Sequence, residues 1–279
     1  MKKVILISII VLSAVVTAYY ASVPSKGTQT FVEEPVVLEV PLIDTIDTID
    51  LTRGISYDVW EPIPPKEVEM IQQVMVLPWG KSLISPLTVK SFHDGENIYF
   101  YVSWKDDTEN RNTGMGEFPD SVAIMSPLGD DVQPSMIMMG KSSIWQWKGD
   151  LDKELWLNET QKTGAYSDFY YPFEENETFV VSRSHPKMAV HDLNSIRVGT
   201  LTHKPYHNVE GRGFWDKGTW RVVFKSPLEP QDPELDAAFN PGEKKSIAFA
   251  VWNGANGDRG SRKSISNGFV TLDIKERAT

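Results

Sequence analysis

The chain has 279 residues, of which 41% are hydrophobic and 24% charged, enough for one large domain or two small ones and far from the composition of a disordered protein. A formal net charge of −10 argues against a nucleic-acid or anionic-lipid partner. The absence of cysteine excludes disulfides, thiolate zinc sites, iron–sulfur ligation and thioether-linked haem.

Met1-Lys2-Lys3 is a positive start, and Val4 to Ala18 is an uncharged apolar run of signal-peptide length ending in the small-residue pattern Val16-Thr17-Ala18. Residues 1–18 are read as a signal peptide. The alternative is an uncleaved anchor, because the run extends through Tyr19, Tyr20 and Val23 toward the ~20 residues that a span needs. Both readings export the rest of the chain, to the periplasm or an equivalent compartment. Residues 19–52 form a proline-punctuated linker with one strand expected at Val36 to Val40, and residues 53–279 form the main domain.

Within that domain short β-branched and aromatic runs alternate with Gly, Pro, Asn and Asp. Lys66 to Leu77 suits a helix, with Pro64 and Pro65 ahead of it and Val68, Ile71 and Met75 on one face, but Val74, Val76 and Leu77 also suit a strand. Strands are predicted at Ile98–Trp104, Thr219–Phe224, Ser246–Trp252 and Gly268–Ile274. Asp216-Lys217-Gly218 reads as a hairpin turn, and Trp220, Val222 and Phe224 share a face opposite Arg221 and Lys225. A short helical turn is expected over Asp232 to Phe239. Many short strands and few helices predict an all-β, antiparallel sandwich, immunoglobulin-like or carbohydrate-binding-module-like.

Chemical motifs are sparse. His203 and His207 are four apart, but Pro205 between them opposes a helical metal pair. No nucleophile elbow, P-loop or zincin motif occurs, and the acid pairs Asp106-Asp107, Asp130-Asp131 and Glu174-Glu175 read as turns or solvated loops.

Five stretches in order carry a resemblance. They are Trp60-Glu-Pro with Val76-Leu-Pro; the strand ending Trp104-Lys-Asp-Asp107; Phe118-Pro-Asp-Ser-Val-Ala-Ile124; Pro134-Ser-Met-Ile-Met-Met-Gly140 with Trp145-Gln-Trp147; and Phe249-Ala-Val-Trp-Asn-Gly254 leading to Arg259-Gly-Ser-Arg-Lys-Ser264. Together the sequence resembles the haem-binding gamma subunit of type II molybdoenzymes in the dimethyl sulfoxide reductase superfamily, a group that includes ethylbenzene dehydrogenase, selenate reductase, chlorate reductase, dimethyl sulfide dehydrogenase and nitrite oxidoreductase. The resemblance implies a β-sandwich with one non-covalent b-type haem ligated by a methionine and a lysine. These positions fall on Met139, with Met138 and Met136 close by, and on Lys263.

The resemblance further implies a non-catalytic electron-transfer subunit beside an iron–sulfur beta subunit and a molybdopterin alpha subunit, with a cytochrome as external electron partner. Trp145, Trp147, Trp252 or Phe249 are the candidates for the walls of an apolar slot between the sheets, and Arg259 and Arg262 are candidate partners of the haem propionates, the alternative being ordinary solvation. Without the resemblance, the methionines read as core filler and the Arg259–Lys263 run as a solvated loop. A second function class, an exported carbohydrate-binding sandwich, would use the nine tryptophans for sugar stacking.

Overall fold

The computed structural model describes residues 36–43, 51, 58–74, 79, 83–129, 140–157, 188–196 and 200–277. In chain order the strands are β1 (Val37–Val40), β2 (Lys66–Val68), β3 (Met70–Gln72), β4 (Leu87–His93), β5 (Asn97–Lys105), β6 (Ser121–Pro127), β7 (Ser142–Lys148), β8 (Val190–Ser195), β9 (Thr202–His203), β10 (Glu210–Trp215), β11 (Thr219–Pro227), β12 (Lys244–Trp252), β13 (Ser264–Ser266) and β14 (Val270–Ile274). Among the described residues one α-helix, α1 (Gly149–Trp156), follows β7. The export segment and Met136, Met138 and Met139 lie outside the described residues, as do Asp130-Asp131 and Glu174-Glu175.

Local chemistry sets the hairpins. Lys217 and Gly218 take positive φ angles of 48° and 73°, and Asp216 and Thr219 exchange both backbone hydrogen bonds at 3.1 Å. This two-residue turn matches the twist of the flanking strands β10 and β11. The alternation read in β11 holds, since Trp220, Val222 and Phe224 enter the core between the sheets. The segment 66–77 forms strands β2 and β3 in its described part rather than a helix: Lys66–Val68 pairs with β4 and Met70–Gln72 with β13. Cross-strand partners outside the segment decide what its own periodicity left open. Near Asp232 a single helical turn forms, closed by the bond from the Asp236 N–H to the Asp232 carbonyl at 2.9 Å.

The strands build two sheets. One runs β10-β11-β5-β4-β2, and the other runs β1-β14-β12-β6-β7-β8-β9 with β13 and β3 continuing from β12. All pairings are antiparallel except that of β1, which lies parallel to β14 from Val37↔Thr271 to Val40↔Ile274. The segment read as linker thus contributes a strand with buried Leu38 and Val40.

Apolar side chains between the sheets form the main core, including Phe100, Val102, Trp104, Val122, Ile124, Trp145, Trp147, Trp220 and Phe249. A second cluster lies on the opposite face of the larger sheet, and a third around Trp60, Phe92 and Tyr99 on the smaller one. Both sheets are therefore buried on two faces, which explains why β6 reads as a nearly continuous apolar run.

Trp147 is the central pillar. Its ring meets Trp220 edge-on at 5.0 Å, and its Nε1 donates to Asp152 Oδ1 at 2.8 Å. Gly213 on β10 gives it room, because a Cβ there would lie 2.2 Å from Trp147 Cζ2. Gly213→Ala is expected to lose about 1–3 kcal/mol through overpacking, read as a lower urea midpoint at unchanged m-value. An unchanged midpoint would show that the pillar can shift.

Candidate functional site

The inward and outward residues of β12, β6 and β7 alternate, and the register aligns their outer faces in rows. Lys263 lies beside the row Trp252↔Ser121↔Lys148, and the next outward rows are Ile265↔Ala250↔Ala123↔Gln146 and Ala248↔Met125↔Ile144↔Leu193. Three alanines, Ala123, Ala248 and Ala250, thus form a flat floor edged by Trp252, Ile265, Met125 and Ile144, all buried.

Lys263 is 7% exposed, and its Nζ stands 4.8 Å from the centre of the Trp252 ring. Burial alone pushes its amine down to about 8. Among the described residues no carboxylate faces Nζ to compensate. The position follows from the main chain around it. The Lys263 carbonyl accepts from the Gln73 N–H at 3.0 Å, and Ser264 Oγ accepts from the Ile84 N–H at 2.9 Å. These bonds draw Lys263 under the segment after β3 instead of leaving it in a solvated loop.

Lys204 is the other buried lysine among the described residues, and its surroundings are the reverse. Its Nζ pairs with Asp192 at 2.5 Å and with Asp236, and donates to Ser143 Oγ at 2.8 Å. Two carboxylates thus flank the Lys204 amine, whereas among the described residues none flanks Lys263.

The expected wall residues divide between the two faces of the sheet. Trp252 is on the Lys263 side, but Trp145, Trp147 and Phe249 point into the core between the sheets. Trp145 packs on Phe239 and Phe100 at 5.5 and 6.1 Å. Of these candidates for the wall of a slot between the sheets, Trp145, Trp147 and Phe249 line that interior and Trp252 does not; strand alternation puts Trp145 and Trp147 on the far side of the sheet from Lys263. Arg262 is half-buried in the turn closed by its N–H to the Arg259 carbonyl and acts electrostatically on Asp258. The Arg259 guanidinium lies over the Phe118 ring at 4.5 Å and donates to the Gly257 carbonyl.

Several buried acids escaped the sequence reading, Asp106, Asp120 and Asp258 among them. Asp106, expected in a solvated turn, is 3% exposed; it caps the following turn through the Thr108 N–H and hydroxyl. Asp120 is fully buried, and burial followed by the charge of Asp106 pushes its carboxyl up to about 7. The available signal was an aspartate placed directly before the apolar strand β6. Asp258 is likewise pushed up to about 6, chiefly by burial.

The Lys263 shift has a sign that can be measured. Between about pH 8 and pH 10.5 the unfolded chain holds a proton on this amine that the folded, haem-free chain has lost, so stability rises with pH through that window. Below it the full penalty stands. Lys263→Met in the haem-free protein is therefore expected to be more stable than the parent at pH 7, by up to roughly 3 kcal/mol, with the advantage shrinking toward pH 10.5. Equal stability at both pH values in denaturant titrations would mean the amine is solvated.

Comparison with known proteins adds an independent line. The family profile described as ethylbenzene dehydrogenase matches residues 57–264. A Haloferax mediterranei protein named as a respiratory nitrate reductase heme subunit, ORF7, is 26% identical over 234 residues, covering 82% of this chain and 70% of that one. The dimethylsulfide dehydrogenase subunit gamma of Rhodovulum sulfidophilum is 23% identical over 248 residues, covering 83% and 79%. Among solved structures, a family 9 carbohydrate binding module from Caldicellulosiruptor kristjanssonii in complex with cellotriose aligns with a TM-score of 0.44 at 11% identity, covering 86% of this chain and 94% of that one. With a profile match across most of its length and two relatives aligned over four-fifths of it, the chain belongs to the ethylbenzene dehydrogenase family.

Proposed function

We propose that this chain is the haem-binding, non-catalytic electron-transfer subunit of a molybdoenzyme complex, holding one b-type haem between Lys263 and a methionine of the stretch 134–140, Met139 being the one that the resemblance implies. The observation that carries the reading is the Lys263 amine, buried on an apolar face without a counter-charge among the described residues. A lysine binds iron only as the neutral amine. From an ordinary value near 10.5, losing the proton at pH 7 costs about 5 kcal/mol, whereas from about 8 it costs about 1.4 kcal/mol. Lys204, by contrast, sits between the carboxylates of Asp192 and Asp236.

Haem, when bound, supplies a one-electron couple at iron. The chain's own residues supply the remainder. Ala123, Ala248 and Ala250 keep the floor clear of bulky side chains, while Trp252, Ile265, Met125 and Ile144 keep the surroundings dry. The names of the relatives, a heme subunit and a gamma subunit, support the same role. On this reading the chain associates with an iron–sulfur beta subunit and a molybdopterin alpha subunit in an exported complex and relays electrons to a cytochrome.

The register sets a demand on the methionine. Gly140 precedes β7 at Ser142, and Ser142 is six residues along that strand from Lys148, the end nearer Lys263; at ~3.3 Å per residue this is about 20 Å. To share an iron with Lys263, the methionine has to be carried back along the alanine floor. Each residue N-terminal to Gly140 adds up to ~3.4 Å of reach, so Met139, one residue away, falls well short of this span while Met136 comes nearest to meeting it, and all three are tested.

The carbohydrate-binding reading fits less well. Of the nine tryptophans only Trp79 is mostly exposed, at 56%, so no stacking platform of several tryptophan rings faces solvent.

Full-length protein reconstituted with protohaem is expected to show the Soret and reduced α-bands of a six-coordinate low-spin haem. Lys263→Ala should abolish that signature, and one of Met136→Leu, Met138→Leu and Met139→Leu should do the same. Lys204→Met should leave the bands in place. A colourless product sinks the haem reading; loss of the bands in Lys204→Met but not Lys263→Ala moves the ligand to the other buried lysine. Export is checked separately by the intact mass of protein from its native source, expected to lack residues 1–18.

A further inference from the structure

Lys263 ends the loop that leaves β12, and the beginning of that loop is fastened at a point remote in sequence. Asp120 Oδ1 accepts the Gly254 N–H at 2.8 Å. Its Oδ2 accepts the Asn110 N–H at 2.7 Å and the Trp220 indole N–H at 2.9 Å. The Asp120 main chain is also engaged, its N–H donating to the Asn110 carbonyl and its carbonyl accepting from the Gly149 N–H. Through Trp220 this fully buried carboxylate ties the loop to the smaller sheet, so the loop's entry point is referenced to both layers of the sandwich.

Gly254 fits this point as no other residue would. A Cβ there would lie 1.9 Å from the Phe118 carbonyl oxygen and 2.8 Å from Asn110 Cβ, so any side chain lifts the loop off Asp120. Beyond Gly254 the loop closes on itself. Asp258 Oδ2 accepts the Asn253 N–H at 3.2 Å, Asn253 Oδ1 accepts the Asn256 N–H at 3.0 Å, and the Gly260 carbonyl accepts the Trp252 indole N–H at 3.0 Å. A loop so braced transmits a shift at Gly254 toward Lys263 instead of absorbing it.

We infer that Asp120, with Gly254 seated against it, is the positioning residue for Lys263: it sets where the lysine amine stands over the alanine floor without touching the haem. This rests on the haem reading above. The chemistry requires an acid at this position. Three N–H groups converge on two oxygens, and a carboxylate accepts all of them, whereas an amide would turn an N–H of its own toward a donor.

The test uses the full chain loaded with protohaem and measures the low-spin bands together with the rate of haem transfer to excess apomyoglobin. Asp120→Asn and Gly254→Ala are expected to speed transfer at least tenfold and to leave a mixed-spin spectrum, with Lys263→Ala as the reference for full loss of the ligand. Asp236→Asn, which weakens the fold at the distant Lys204 cluster, serves as the stability control and should transfer haem within twofold of the parent. Should Asp120→Asn and Gly254→Ala behave as Asp236→Asn does while Lys263→Ala still loses the low-spin bands, Asp120 is a fold residue only and the inference fails alone. An unaltered Lys263→Ala overturns the inference together with the reading beneath it. If Asp120→Asn does not accumulate as folded protein, Gly254→Ala decides the matter by the same two measurements.

Discussion

An ammonium group withdrawn from water with no anion beside it is costly to a folded chain, and the fold keeps Lys263 in that condition, over the Trp252 ring and beneath the segment after β3. Structural lysines avoid it. Lys204 shows the usual solution within the same molecule, an inward-pointing amine between two aspartates. That contrast separates an amine held by fixed charges from one left without them among the described residues, and the proposed haem ligation would repay its cost through a bond to nitrogen.

The larger sheet divides its labour between its faces. Its inner face closes with Trp145, Trp147, Ile124 and Phe249 against the smaller sheet, filling the sandwich as densely as a core requires. Its outer face is stocked differently, with alanines at the centre and larger residues at the edge. A bulky planar group set between the sheets would have to displace the Trp147 pillar and its contacts with Trp220 and Gly213. Among the described residues no such pillar stands on the outer face, which is the ground for proposing the site there and not in the sandwich interior.

Much of the architecture was legible because its signals are local. The hairpin at Lys217-Gly218 declares itself through residues that tolerate positive φ, and β11 through strict alternation. Segment 66–77 did not, since its strands exist through pairing with β4 and β13, partners that no local period reveals. Helix α1 was likewise missed: its short run comes directly after the strand-like Trp145-Gln-Trp147, and only the acidic residues Asp150 and Asp152 in its first turn hinted at a helix start. For the site, the resemblance named Lys263, but the run Arg259 to Lys263 by itself looks solvated. Its burial is a tertiary fact, set by Gln73 and Ile84 far away in the chain. Trp145 and Trp147 pose a related problem: alternation says which residues share a face, not which face lies with Lys263.

Asp120 shows how these levels join. In sequence it is a polar residue ahead of an apolar strand, and in the fold it is the fixed point from which the Lys263 loop departs. A ligand delivered by a loop gains accuracy only if the loop's origin is held by elements that do not move with it. The Asp120 carboxylate meets that need by accepting bonds from three separate parts of the chain, one before β6, one on β11 and one after β12. Because two of those donors are backbone N–H groups, the arrangement constrains the main chain itself, and the side chain of Lys263 inherits a position that its own neighbours, largely apolar, have no directional bonds to enforce.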